Sequence, residues 1–272
     1  MRITFLGGGN MAGALIGGLL AQDFDPRSIA VIEVNSEARE KLAAQHRVHV
    51  VSAPGGAAEL DSDTLVLAVK PQDMRPALAS LNGRLASQLV ISIAAGLRLA
   101  DLSRWLGGYR RLVRCMPNTP ALIGAGITGL YGLPEVSAAE KERAARVLGA
   151  VGEVVWVDQE ALLDPVTAIS GSGPAYVFWF IEQLAEAGVE LGLPREVAGK
   201  LALQTVLGAS KLAAQSTEAP GTLRERVTSK GGTTEAALRV FAEEQLGERL
   251  MRALAAASRR GAELGEELGK GG

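Results

Sequence analysis

Aromatic residues are scarce in this 272-residue chain: three Trp, three Tyr and five Phe are 4% of it, although 47% is hydrophobic. The core must therefore come mainly from Ala, Leu and Val. Cysteine is nearly absent as well. Cys115 stands alone and cannot form an intramolecular disulfide, and one Cys with two His cannot build a Cys/His zinc site. That count suits a reducing, cytoplasmic setting. No excess of one charge sign exists, since 28 Lys and Arg face 30 Asp and Glu for a net charge of −2. There is no basic stripe for nucleic acid and no basic amphipathic anchor for a membrane. Long apolar runs are missing too. The run Ala175–Ile181 meets Glu182 and Glu186 and is far too short to span a bilayer. After Arg2 the N-terminus loosely resembles a signal peptide, but glycines at 7, 8, 9 and 13 interrupt the run before it reaches h-region length. A soluble protein is expected.

Glycine, by contrast, is abundant, at 33 residues against a usual level of about 7%. With 11 Pro the two make 44 residues, below the fraction that marks low complexity. Length and apolar content together allow one large domain or two ordinary ones.

Two halves of the chain follow different patterns. From residue 2 to about 157, short β-branched runs predict strands at Arg2–Leu6, Ile29–Val34, Leu65–Val69, Leu89–Ile93, Arg111–Met116 and Val154–Val157. Helical spacing intervenes at Met11–Ala21, Glu37–Gln45, Met74–Leu81 and Ala138–Ala150, the last opened by the capping-box pattern Ser137-Ala-Ala-Glu140. Alternation of this kind implies βαβ units: an α/β Rossmann domain, doubly wound on a mainly parallel sheet, expected over residues 1–158. Beyond about residue 160 the strand signals stop. Helices are predicted at Pro174–Leu191, Pro194–Gln215, Thr233–Glu244 and Gly247–Arg260, with breaks at Gly192-Leu-Pro194, Pro220-Gly221 and Gly231-Gly232. The second domain, 159–272, is expected to be all-helical, and its Ala-rich helices permit close helix–helix approach.

The first strand runs into Gly7-Gly8-Gly9-Asn10-Met11-Ala12, a G-x-G-x-x-A dinucleotide fingerprint in strand–turn–helix context. Gly7 allows the turn, Gly9 lets backbone approach a pyrophosphate, Ala12 lets the helix pack on the sheet, and the helix N-terminus offers free amides. Glu33 lies 26 positions after Gly7, near the end of the second strand. There it either takes the adenine ribose hydroxyls and disfavours a 2′-phosphate, or it faces solvent and leaves Val34, Asn35 and Ser36 to line the pocket. The two readings balance, and the sequence does not choose between NAD and NADP. Two further loops, Ala68-Val69-Lys70-Pro71 and Ser92-Ile-Ala94-Ala95-Gly96, sit at carboxyl ends of strands, where open α/β sheets bind ligands.

An acid–base residue is harder to find. His46 and His49 fall between a helix and a strand of the first domain, and Cys115 reads as a buried, inert thiol. The segment Val227-Thr-Ser-Lys-Gly-Gly-Thr-Thr234 precedes an Ala-rich helix. It reads equally as a small-anion site or as an ordinary capped helix start.

Taken together, GGGNMA at 7–12, AVKP at 68–71, AAG at 94–96, RCMPNTP at 114–120, SGSGPAY at 170–176 and PGTLRERVTSKGGTTEAAL at 220–238 resemble the pyrroline-5-carboxylate reductase family over nearly the whole chain. The resemblance implies reduction of the C=N bond of 1-pyrroline-5-carboxylate to L-proline by NADPH or NADH, the last step of proline biosynthesis. It also implies a helical domain that interleaves with its twin in a dimer, and dimers that assemble further, commonly into decamers. By the same resemblance, Leu6, Gly7, Gly8, Gly9, Asn10 and Met11 hold the pyrophosphate, and Asn35 and Ser36 lie beside the adenine ribose. Ala68, Val69, Lys70, Pro71, Ala94, Ala95 and Gly96 flank the nicotinamide. Ser229, Lys230, Gly231, Gly232, Thr233 and Thr234 bind substrate, with the Thr234 hydroxyl against the ring nitrogen as the catalytic group. No metal is implied. A protonated cyclic imine is already a strong electrophile, which accounts for the missing histidine. Two positions depart from the family: Glu33, where NADPH is often preferred, and Gly55-Gly56, where relatives often carry an Asn near the adenosine. A β-hydroxyacid dehydrogenase of the same architecture is the rival enzyme, but Val177 occupies the position of its Lys base after Gly171-Ser-Gly173. A non-catalytic NAD(P)-sensing dimer is the rival of another class.

Overall fold

The computed structural model describes residues 1–53, 61–81 and 83–270, so Gly55 and Gly56 lie outside the described residues. Eight strands form one sheet in the order β3-β2-β1-β4-β5-β6-β7-β8. They are β1 (Ile3–Leu6), β2 (Ile29–Ile32), β3 (His49–Val51), β4 (Thr64–Leu67), β5 (Leu89–Ser92), β6 (Leu112–Met116), β7 (Gly126–Gly132) and β8 (Gly152–Trp156). All neighbours pair in parallel except β6 and β7. The helices of this part are α1 (Asn10–Ala21), α2 (Ser36–His46), α3 (Pro71–Ala79), α4 (Leu99–Trp105), α5 (Ala138–Leu148) and α6 (Leu163–Val166), the last running into a π-turn at Thr167–Gly171. A parallel sheet buries both faces, and the strands show it. Ile3 and Phe5 of β1 pack with Leu15, Ile16 and Leu19 of α1, while Leu6 joins Met74 and Leu78 of α3 in the opposite layer.

The doubly wound α/β architecture and its helical sequel are as the sequence implies. Beyond residue 160 come α7 (Gly173–Glu190), α8 (Arg195–Gln215), α9 (Pro220–Arg226), α10 (Thr233–Glu243) and α11 (Leu246–Lys270). Two compact units emerge, Met1–Ser172 with Ala256–Gly272, and Gly173–Ala255. The expected division at 158/159 therefore falls inside the first unit, for two reasons visible in the side chains. First, residues 160–164 are tied to the sheet by ions. Arg98 Nη2 donates to Asp164 Oδ2 at 2.6 Å, Arg114 Nη1 donates to Glu160 Oε1 at 3.1 Å, and the Leu99 amide donates to the same Glu160 oxygen at 2.8 Å. Arg114 is 3% exposed and Asp164 6%, so these charges are compensated within the protein rather than by water. Second, α11 returns through a glycine stripe. Gly261, Gly265 and Gly269 lie against Asp164, Gly96–Arg98 and Asp101, and a Cβ on Gly265 would sit 2.9 Å from the Gly96 carbonyl oxygen. Helix α11 was expected to end at Arg260, but the stripe docks it on the first unit as far as Lys270.

Two strands, β3 and β7, and three helices, α4, α6 and α9, had no legible signal. Strand β3 has only three residues, and β7 carries glycine at 126, 129 and 132, a pattern that argues against a strand interior. Two of those glycines are packing requirements. A Cβ on Gly126 would meet Ala121 at 2.9 Å, and one on Gly129 would meet Val166 Cγ1 at 2.6 Å. Helices α4 and α9 are seven residues each, too short for periodicity to declare itself. The remaining ends agree within a few residues, and the Ser137–Glu140 capping box is complete in both directions.

These contacts predict stability changes. Gly265→Ala forces α11 away from the Gly96 backbone, and Gly18→Ala drives a methyl into the Ala150 carbonyl; each should cost about 1–3 kcal/mol. Arg114→Ala removes the ion partner of Glu160 and leaves Asp164 with Arg98 alone, and should cost about 1.5–3 kcal/mol. Denaturant unfolding of the three variants beside the parent checks both expectations, and parental midpoints would refute them.

Candidate active site

Main-chain hydrogen bonds extend the sheet one residue past its carboxyl edge. The Gly7 amide donates to the Ile32 carbonyl at 2.8 Å, Ala68 to Leu6 at 2.8 Å and Ile93 to Leu67 at 3.1 Å. This registers the turns after β1, β4 and β5 side by side, and so brings together three of the segments expected to bind cofactor: Leu6–Met11, Ala68–Pro71 and Ala94–Gly96. Gly7 adopts φ +99°, a left-handed conformation that L side chains rarely take. Even without that strain a Cβ there would stand 2.8 Å from the Ala68 backbone.

Gly9 caps α1 with no side-chain hydrogen bond, and a Cβ at Gly9 would meet nothing within 4 Å. Open space thus lies before an uncapped helix N-terminus, the arrangement that receives a diphosphate. Ala12, 1% exposed, is the small residue that lets α1 close on the sheet. The residues present fit a dinucleotide. From Gly9 a groove of about 640 Å³ follows the small-residue face of α1, Gly13, Ala14, Gly17 and Gly18, with Lys41 and His46 of α2 along it.

The remaining positions expected to border the cofactor differ in their surroundings. Asn35 is the N-cap of α2, its Oδ1 accepting from the Ala38 amide at 2.9 Å, and Ser36 beside it is exposed. Lys70, exposed, precedes Pro71 at the start of α3 and caps it with no side-chain bond. Ala95 is exposed while Ala94 is 4% exposed. Gly96, at φ +80°, packs against Leu268 and Gly265 of α11, so its lack of a side chain is explained by packing. Cys115 is buried, its thiol donates to the Ser92 carbonyl, and burial pushes its pKa up, which makes it inert. His46 ends α2, and partial burial lowers its pKa.

Residues 227–234 belong to the second unit. Gly232 caps α10 with no side-chain bond, so the Thr233 and Thr234 amides head the helix. The Gly232 amide, in the segment expected to bind substrate, already donates to the Ser229 carbonyl at 3.0 Å. The Gly231 amide donates to Glu235 Oε2 at 2.6 Å. A Cβ on Gly232 would collide with the Ser229 hydroxyl, which therefore rests on the glycine backbone. Ser229, Lys230 and Thr233 are exposed, and Thr234 is half-buried.

Sequence reasoning assigned no role to Asn118. Its Oδ1 accepts from the Ile127 amide at 3.0 Å and its Nδ2 donates to the Ser170 carbonyl at 3.2 Å, tying the turn after β6 to β7 and to the π-turn. Its motif, RCMPNTP, was visible, but these partners are 9 and 52 residues distant along the chain.

No described helix is long and apolar enough to cross a membrane, and no metal-binding cluster of His, Cys, Asp or Glu occurs among the described residues. Residues 160–264 match the family described as pyrroline-5-carboxylate reductase dimerisation, and residues 2–96 match NADP oxidoreductase coenzyme F420-dependent. A pyrroline-5-carboxylate reductase of Pseudomonas aeruginosa is 48% identical over 270 residues, covering 99% of this chain and 98% of the relative. The solved reductase of Coxiella burnetii superposes with a TM-score of 0.92 at 41% identity, over 97% of this chain and 98% of that one. The Plasmodium falciparum pyrroline carboxylate reductase, solved with NADP bound, gives 0.83 at 29% identity over the same shares. The chain belongs to the pyrroline-5-carboxylate reductase family.

Proposed function

We propose that the chain reduces 1-pyrroline-5-carboxylate to L-proline with NADPH or NADH, the last step of proline biosynthesis. The observation that carries this reading is a pair of glycine-capped, otherwise uncapped helix N-termini, at α1 and α10. Each offers free amides to an anion: a pyrophosphate in the first case, the imine carboxylate in the second. The amides of Thr233 and Thr234 and the Ser229 hydroxyl are the donors for that carboxylate, with Lys230 and Gly231 completing the loop, because the Gly232 amide is spent on Ser229.

When bound, the reduced nicotinamide supplies the hydride. Leu6–Met11 hold the pyrophosphate, Asn35 and Ser36 border the adenine ribose, and Ala68–Pro71 with Ala94–Gly96 border the nicotinamide. Orientation of the imine carbon is the main task left to the protein. The Thr234 hydroxyl hydrogen-bonds the ring nitrogen as it becomes an amine, which a group without strong basicity can do. This removes the need for a histidine, and both histidines lie at the α2–β3 connection. Val177, where the rival dehydrogenase has its lysine, leaves that chemistry without a base.

The second unit leaves large side chains exposed in a single chain, among them Phe178, Trp179, Leu250 and Met251. Apolar surface on this scale is covered by a partner in soluble proteins. The dimer is therefore the functional form, with the decamer as its larger assembly and a reducing cytoplasm as its setting, consistent with one buried cysteine.

Protein mixed with pyrroline-5-carboxylate and either NADPH or NADH should consume the reduced cofactor, read as loss of absorbance, and no oxidation of either would overturn the activity. Thr234→Ala should lower kcat/KM by about 10- to 100-fold with cofactor affinity nearly unchanged, and Thr234→Ser should recover most of it. Unchanged kinetics would remove Thr234 from the reaction. Light scattering should give a dimer or a multiple of one, and a monomer would refute the assembly.

A further inference from the structure

At the carboxyl end of β2, Glu33 is held by two main-chain amides. Its Oε2 accepts from the Gly8 amide at 2.7 Å, and its Oε1 accepts from the Asn35 amide at 2.8 Å. Glu33's own amide donates to Val51 at 2.9 Å, so both its backbone and its carboxylate are fixed. The side chain is only half-buried. It bridges the second glycine of the pyrophosphate turn and the residue that caps α2. Glycine at position 8 leaves the bridge unhindered, since a Cβ there would overlap Leu42 and lie 3.3 Å from Glu33 Oε2.

That location is where the adenosine ribose of a dinucleotide rests in a doubly wound domain, with its 2′-position toward the end of the second strand. A fixed carboxylate there can accept a hydrogen bond from a ribose hydroxyl. It repels a 2′-phosphate, whose charge at neutral pH resembles that of other phosphomonoesters, about −1.5 to −2. The surrounding charges are of both signs. Arg39 donates Nη1 to the Glu33 and Val34 carbonyls at 3.0 and 2.7 Å, and the first turn of α2 adds a second acid, Glu37. The α2 cap is also occupied, by Asn35 Oδ1 on the Ala38 amide.

We propose that Glu33 is the specificity-determining residue for the nucleotide, and that this chain selects NADH over NADPH. The proposal rests on the dinucleotide site described above but not on the identity of the imine. Equilibrium binding without imine separates the two. Fluorescence or calorimetric titration should show NAD⁺ binding at least about 10-fold more tightly than NADP⁺, a like-charge penalty of modest size for a half-exposed pair. AMP should likewise bind more tightly than adenosine 2′,5′-bisphosphate. Glu33→Ser, which removes the charge and opens the space, should narrow or invert the ratio by about 10-fold or more through gain of NADP⁺ affinity. Glu33→Gln, which keeps the shape, should shift it in the same direction. Equal affinity of the parent for both nucleotides, or a ratio unmoved in both variants, would overturn the role of Glu33. Failure of both nucleotides to bind would overturn the dinucleotide site itself.

Discussion

Close passage of one main chain by another, with no side chain between, is the constraint on which the first unit depends. At the turn after β1 the Gly7 backbone lies against Ala68. Along α1 the Gly18 position abuts the Ala150 carbonyl, and on α11 Gly265 abuts Gly96. Each passage fixes something different: the cofactor turn, the seating of α1 beneath it, and the return of the C-terminal helix to the sheet. A chain so rich in Ala and so poor in aromatics packs by proximity. The distances between its elements are therefore set by what is missing at Cβ. Such contacts account for Gly7, Gly18, Gly126, Gly152 and Gly265 among the 33 glycines.

The chemistry required of the protein is correspondingly modest. Hydride transfer to an activated C=N bond needs alignment and anion seats more than a strong base, and the chain supplies helix N-termini headed by glycine. Its buried titratable groups lie elsewhere. Arg98, Arg114, Glu160 and Asp164 compensate one another and join residues 160–164 to the sheet, while burial keeps the Cys115 thiol protonated. Ionisable residues in this interior hold structure together, and hydroxyls and amides are left to meet ligands.

Much of this organisation was legible along the chain. Six strands, the fingerprint at 7–12 and the capping box at Ser137 announce themselves through local patterns of period two, period 3.6 and turn residues. What escaped was short or was shaped by distant neighbours. Strand β7 looks unlike a strand because Gly126 and Gly129 answer to Ala121 and Val166. Helix α11 outruns its expected end because Gly261, Gly265 and Gly269 meet residues some 160–170 positions earlier or, at Asp164, about 100 earlier. The loop at 227–234 was visible by composition, but the engagement of the Gly232 amide by Ser229 was not.

Sequence by itself determined the class of fold, the presence of a dinucleotide turn and the family, because these depend on residue types at short, regular spacings. It left Glu33 undecided between ribose ligand and solvent-facing side chain. Tertiary structure decided that the carboxylate bridges Gly8 and Asn35. Gly8 lies 25 residues away from Glu33 in sequence, and only the parallel pairing of β1 with β2 brings the glycine turn within hydrogen-bonding reach of that side chain. Local patterns can state which residues a site has available. Which of them face one another depends on strand order and register, and these are set by packing over the whole sheet.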